Sequence, residues 1–125
     1  MTNINEFIEK QRIEYYRLKS VRSIVFLNQE VFFTKSGFEH LIRKGLGRRS
    51  IPEKIRRLGL LKYTTEILQD YTAKVEYRSI EDTIYKKHYW GITKDIGNIK
   101  IKVVIRRIDN GKLTFLSIMN YGKGK

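Results

Sequence analysis

The feature that most constrains this chain is a change of hydrophobic period at Ala73. Before it, apolar residues recur at helical spacing between charges. After it they alternate with polar ones, as half-buried strands require. Val75, Tyr77 and Ser79 alternate with Glu76, Arg78 and Ile80, and three longer runs follow: Thr83 to Thr93, Ile99 to Ile108 and Lys112 to Tyr121. Helices followed by closely spaced strands predict an α+β fold. It has N-terminal helices and then a four-stranded antiparallel β-sheet meander, with the helices packed on one sheet face.

In the first half, Thr2 to Leu18 reads as a helix with an approximate apolar stripe of Ile4, Phe7, Ile8, Ile13 and Tyr16. Val21 to Leu27 and Glu30 to Thr34 flank Asn28-Gln29 and suggest a small hairpin. Two capping boxes follow. Ser36-Gly-Phe-Glu39 opens a helix to about Lys44, and Ser50-Ile-Pro-Glu53 opens a second helical stretch to about Asp70. Gly59 weakens the middle of the second and predicts two shorter helices. The 125 residues fit one domain, 1–125: an N-terminal helix (1–20), short strands and helices (21–72), the sheet (73–121) and a basic tail (122–125).

Asn110-Gly111 favours a two-residue hairpin turn and sets the register, with Val104 opposite Ser117 and Lys102 opposite Met119. Residues directly opposite share a face. One face then carries Ile99, Ile101, Val103, Ile105, Leu116 and Ile118. A turn centred on Ile96-Gly97 adds Ile92, facing Ile101, and Trp90, facing Val103. The other face carries Lys100, Lys102, Arg106, Phe115, Ser117 and Tyr121, joined by Tyr85, Lys87 and Tyr89. The first face is dry and belongs under the helices. The second mixes cations with rings, so that Tyr85, Tyr89, Phe115 and Tyr121 offer stacking surfaces beside charge for phosphate.

Charge identifies the class of partner. Lys and Arg total 26 against 13 Asp and Glu, a net +13 with a pI near 10.0. Such an excess is self-repelling, and a polyphosphate relieves it while releasing counterions. Nucleic acid is the expected partner, RNA before DNA, with an acidic protein partner as the alternative. The cations are spread along the chain instead of lining one amphipathic helix, and no apolar run reaches the length of a bilayer span, so no membrane role is expected. There is no cysteine, which removes disulfide and thiolate chemistry and suits the cytoplasm. Two histidines without cysteine cannot assemble a zinc constellation, and neither metal nor cofactor is expected.

RNA carries its own nucleophile, so a protein that cuts it needs a proton acceptor, cations for the crowded phosphorane and a proton for the departing oxygen. His40 is the best candidate. It shares a helical face with Lys44, away from the apolar Phe38, Leu41 and Ile42. The loop after it is basic, with Arg48 and Arg49. His88 falls on the apolar face opposite Ile105 and reads as structural.

Phe33-Thr-Lys-Ser-Gly-Phe-Glu-His40 and Phe115-Leu-Ser-Ile-Met-Asn-Tyr121 give the chain a family resemblance. From about Glu30 to Tyr121 it resembles the phage and mobile-element branch of the barnase–EndoU–colicin–RelE superfamily of small metal-independent ribonucleases. The resemblance implies that His40 is the general acid/base and that Lys35, Lys44, Lys102 and Arg106 stabilise phosphate charge. It also implies that Ser117 and Tyr121 orient the phosphate, or that Tyr121 assists proton transfer. The chain departs from the pattern at Gly45-Leu-Gly-Arg-Arg49, where relatives often carry a second basic or His residue, and at Asp70-Tyr-Thr72, where they often carry Asn/Asp-Pro before the first sheet strand. The expectation is endonucleolytic RNA cleavage to a 2′,3′-cyclic phosphate. His40, Arg106, Ser117 and Tyr121 are at its centre, and Lys35, Lys44, Arg48, Arg49, Tyr85, Lys87, Tyr89, Lys100, Lys102 and Phe115 bind the strand. The alternatives are a non-catalytic nucleic-acid-binding module and a toxin-like subunit held by an acidic protein.

Overall fold

The computed structural model describes residues 3–44, 47–81 and 84–123, without the side chains of Lys44, Arg48 and Lys123. Helix α1 (Ile4–Leu18) is capped by Asn3, whose side chain accepts from the Asn5 amide at 2.7 Å. Its buried seam is not the expected stripe. Tyr15 is fully buried, with Phe7, Ile8 and Leu18 packed beside it, while Ile13 and Tyr16 face solvent. Spacing of seven and three from Ile8 to Tyr15 to Leu18 keeps one helical face inward, and Ile13 lies off that face.

Strands β1 (Ser20–Ser23) and β2 (Gln29–Phe32) form the hairpin around Asn28, pairing Ser20 with Phe32, with a 3-10 turn at Ile24–Phe26 between them. β2 then pairs in parallel with the last strand. The sheet therefore has six strands and is mixed, in the order β1, β2, Leu113–Lys123, Ile99–Ile108, Lys86–Ile96 and Lys74–Glu81, where four antiparallel strands were expected. The fold class is α+β.

Helix α2 (Lys35–Ile42) starts at Thr34, two residues before the expected cap, so Ser36 lies inside its first turn. A two-stranded ribbon, β3 (Arg43–Lys44) with β4 (Gly47–Arg48), folds the chain back onto α2, where the Arg49 amide donates to the Ile42 carbonyl at 3.1 Å. Helix α3 (Ile51–Leu60) opens at the expected cap, Ser50 Oγ accepting from the Glu53 amide at 3.3 Å. The helical stretch then breaks into a 3-10 turn (Leu61–Tyr63) and a short α4 (Thr64–Leu68). Lys94 ties α4 to the sheet, 2.9 Å from Glu66 and 2.8 Å from Asp70.

Strands β5 (Lys74–Glu81), β6 (Lys86–Ile96), β7 (Ile99–Ile108) and β8 (Leu113–Lys123) pair in chain order, each antiparallel to the next. Val104 lies opposite Ser117 and Lys102 opposite Met119, as the hairpin signal required. Between β6 and β7 the register lies two residues from the expected one: Ile92 faces Val103, Trp90 faces Ile105 and His88 faces Arg107. A shift of two keeps every side chain on its face.

Phe115 is the main correction. The turn closes at Ile108–Gly111, with Asp109 at φ 51, one residue earlier than Asn110-Gly111 predicts. Asp109 is held there by β6, since its amide donates to the Lys86 carbonyl at 2.7 Å and its Oδ1 accepts from the Lys86 amide at 2.9 Å. The extra residue is absorbed as a bulge between Val104 and Ile105, so that Ile105 pairs with Phe115. Phe115 thereby enters the core with Val31, Phe38, Ile105 and Ile118, and Leu116 leaves it. Burying the ring stabilises this register by about 1.5–3 kcal/mol.

Candidate functional site

The bulge, the last turn of α2 and the body of α3 meet, and three arginines converge there on His40. Arg49 comes from the β3–β4 ribbon, its Nε donating to the His40 carbonyl at 3.1 Å. Arg57 comes from α3, its Nε donating to Glu53 Oε1 and its Nη1 to Ser117 Oγ, each at 2.8 Å. Arg106 comes from β7, two residues beyond Val104, the partner of Ser117; its Nε is buried and has no hydrogen-bond partner among the described residues. A buried donor without an acceptor is uncommon and calls for one.

His40 lies half-buried at the end of α2, where the helix dipole favours a proton on the ring. Its pKa nevertheless falls below the ordinary histidine value. Burial is the largest cause, followed by repulsion from Arg49, Arg57 and Arg106. The imidazole is therefore neutral at pH 7. Glu53 is held below its ordinary value, first by the hydrogen bond from Arg57 and then, against a smaller opposing effect of burial, by the charges of Arg57, Arg56 and Arg49. Glu53 organises the arginines: Arg56 Nη1 also reaches it, at 2.6 Å from Oε2.

The expected site divides in two. His40, Arg49, Arg106 and Ser117 come together. Ser117 is 1% exposed and accepts from Arg57, so it holds an arginine instead of presenting itself on an open sheet face. Tyr121 is not there. It stands four residues further along β8, about 13 Å away at the rise of a strand. It packs with Lys102, whose Nζ lies 4.5 Å from its ring centre, and with Lys100 it lines a cavity of about 540 Å³ that also borders Asp70 and Lys94.

Lys102 crosses Gly91, and a Cβ there would collide with its Cε. With Arg78, Tyr89 and Met119 it lines a second cavity, of about 510 Å³. Arg78 lies 5.7 Å over the Tyr89 ring. Tyr89 is also the cross-strand neighbour of Arg106, which joins this groove to the arginine cluster. Tyr85 just precedes β6 and Lys87 is its second residue, and Lys35 is exposed at the first residue of α2, on a different face from His40. Phe115 is core and offers nothing to a ligand. The Lys44 and Arg48 side chains lie outside the described residues. His88 stacks on Trp90 and shares a 2.6 Å hydrogen bond with Tyr77 Oη, away from the cluster.

Arg57 and Glu53 were missed from the sequence. Their i,i+4 spacing carried a signal, but Glu53 had been accounted for by its cap. Among the described residues no group of three or more His, Asp or Glu side chains is arranged to hold a metal ion, and no helix is long and apolar enough to cross a membrane. No protein-family model, curated protein or solved structure matches the chain.

Proposed function

We propose that this chain is a metal-independent endoribonuclease that cuts RNA by attack of its own 2′-hydroxyl and leaves a 2′,3′-cyclic phosphate. The observation that carries this reading is the setting of His40, whose carbonyl accepts from Arg49 Nε at 3.1 Å and whose proton affinity is lowered first by burial and then by the nearby charges of Arg49, Arg57 and Arg106. A phosphodiester seated among Arg49, Arg57 and Arg106 cancels the repulsion that opposes the imidazolium. Substrate binding thus raises the proton affinity of His40 when it must act as a base. His40 takes the 2′-hydroxyl proton, the 2′-oxygen bonds to phosphorus, and the P–O5′ bond breaks. The 5′-oxygen leaves with a proton from the imidazolium or from water. The guanidinium groups face the charge that develops on the phosphorane oxygens, and the unpartnered Nε of Arg106 supplies a ready donor.

The groove of Arg78, Tyr89 and Lys102 supports the same partner, because cations stacked over rings suit the backbone and bases of a single strand. The reading agrees with the family resemblance in placing an acid/base residue on a helix, and departs from it in leaving Tyr121 out of the chemistry.

The test is incubation with mixed-sequence RNA in EDTA, with product ends read by mass spectrometry. Cleavage to cyclic phosphate is expected, together with a sharp loss in His40→Ala and in Arg106→Ala of unchanged fold. Tight binding without product selects a nucleic-acid-binding module. Co-purification with an acidic protein that masks the cluster selects a toxin-like subunit.

A further inference from the structure

A second cation cluster lies one helical turn from the first. Arg43 follows His40 by three residues, just past the end of α2, and Lys54 precedes Arg57 by three residues on α3. Three residues advance a helix by about 4.5 Å. Arg43 and Lys54 meet there, and with Arg12, Asn5, Ile8 and Ile42 they line a cavity of about 220 Å³.

Among the described residues, every charged one lining this cavity is cationic. Arg12 uses its Nε on Glu9 at 3.3 Å and Arg43 its Nε on Glu39 at 3.1 Å, and neither carboxylate lines the space. Arg12 is also held in place against the Phe38 ring, at 4.8 Å. Lys54 is the telling residue. It is only 9% exposed and has no carboxylate or hydrogen-bond partner among the described residues. Its neighbour Glu53 is engaged by Arg56 and Arg57 instead. A lysine that is mostly buried, pairs with no described carboxylate and lines a cavity with two arginines suits an anion.

We propose that the Arg12–Arg43–Lys54 cavity is a phosphate subsite that holds the phosphate next to the scissile one on the same strand. This rests on the reading of the His40 cluster as the cleavage site. The α2–α3 seam then presents two phosphate seats about one helical turn apart. The subsite fixes the strand so that one particular bond lies against His40, which makes it a source of affinity and register and not of chemistry.

The test uses 2′-O-methyl UpU, which cannot be cut, alone and with an added 5′- or 3′-terminal phosphate. Binding is followed by titration calorimetry at low salt. One added phosphate, at one end only, should tighten binding about fivefold. Lys54→Met and Arg43→Gln should each abolish that increment while leaving the affinity for plain UpU within twofold. Arg43 is half-exposed, so its variant tests the subsite even if Lys54→Met disturbs packing. An increment retained in the Arg43→Gln variant, or no increment at either end in the wild type, overturns the subsite. Absence of cleavage in EDTA, with the increment present and lost in the variants, would instead overturn the nuclease reading alone.

Discussion

Arg57 Nη1 donates to Ser117 Oγ across 2.8 Å, from the middle of α3 to a residue beside the β8 bulge sixty positions later. The same guanidinium is fixed at its Nε by Glu53, so both ends of the planar fork are held before any substrate arrives. In the proposed nuclease Ser117 is thus a positioning residue. Ser117→Ala should lower kcat on RNA about tenfold while the affinity for uncleavable RNA changes little. The fold should lose about 1 kcal/mol from the broken hydrogen bond. Arg57→Lys should not restore activity, because an ammonium cannot bridge Glu53 and Ser117 together. A Ser117→Ala enzyme with full kcat would remove this role.

The depressed pKa of His40 fixes a pH signature. In the proposed reaction His40 works unprotonated, and burial with three arginines resists its protonation. The acid limb of kcat/KM should therefore lie below 6.5, the ordinary histidine value. Arg49→Gln keeps a donor for the His40 carbonyl but removes a charge, and should move the limb upward. The linkage sign is also set. Below 6.5 the unfolded chain takes up a proton that folded His40 resists, so stability falls as pH drops from 6.5 to the folded-state pKa. His40→Ala should remove that part of the slope in urea midpoints measured against pH. An acid limb at or above 6.5 would contradict the half-buried imidazole with its three nearby arginines.

Much of the fold was legible because its signals are local. The Ser50 cap, the break near Gly59, and the pairing of Val104 with Ser117 each depend on a few adjacent residues. What escaped depends on distant partners. Asp109 is pulled into its left-handed conformation by Lys86 on another strand, and that displacement moves Phe115 from a wet face to the core. The parallel pairing of β2 with β8 joins segments some eighty residues apart, and nothing in either segment announces it. In the site, His40 and Arg106 were readable as a histidine beside cations and a strand cation. Arg57 was not, because its importance comes from a contact with Ser117 that no helical pattern encodes.

Gly37 offers a test of the packing that seats α2 and hence His40. A Cβ at this position would fall on the Phe115 carbonyl and against Tyr15 Oη, which itself donates to the Thr34 carbonyl at 2.7 Å. The carbonyl is backbone and cannot swing away. Gly37→Ala therefore has to lift α2 from β8, in spite of alanine's better helix propensity. A loss of about 2–3 kcal/mol is expected in denaturant unfolding, with activity falling as His40 moves from the arginines. Stabilisation by alanine would show that α2 is not clamped on Phe115.

The division between the His40 cluster and the Tyr121 end of the sheet makes the sharpest distinction between this geometry and the family pattern. If Tyr121 took part in proton transfer, Tyr121→Phe would lower kcat and alter the basic limb of the pH profile. Here its ring lies under Lys102, about 13 Å along β8 from Ser117, and its hydroxyl cannot reach a phosphate seated at Arg106. Tyr121→Phe keeps the ring and should leave kcat within twofold. Lys102→Met removes the charge over that ring and beside Gly91. It should weaken binding of long single-stranded RNA and lower the slope of log affinity against log salt by about 0.7, the value of one phosphate contact, while a dinucleotide is cut as before. A loss of kcat in Tyr121→Phe on a dinucleotide would bring the tyrosine into the chemistry and require β8 to move substantially on binding RNA.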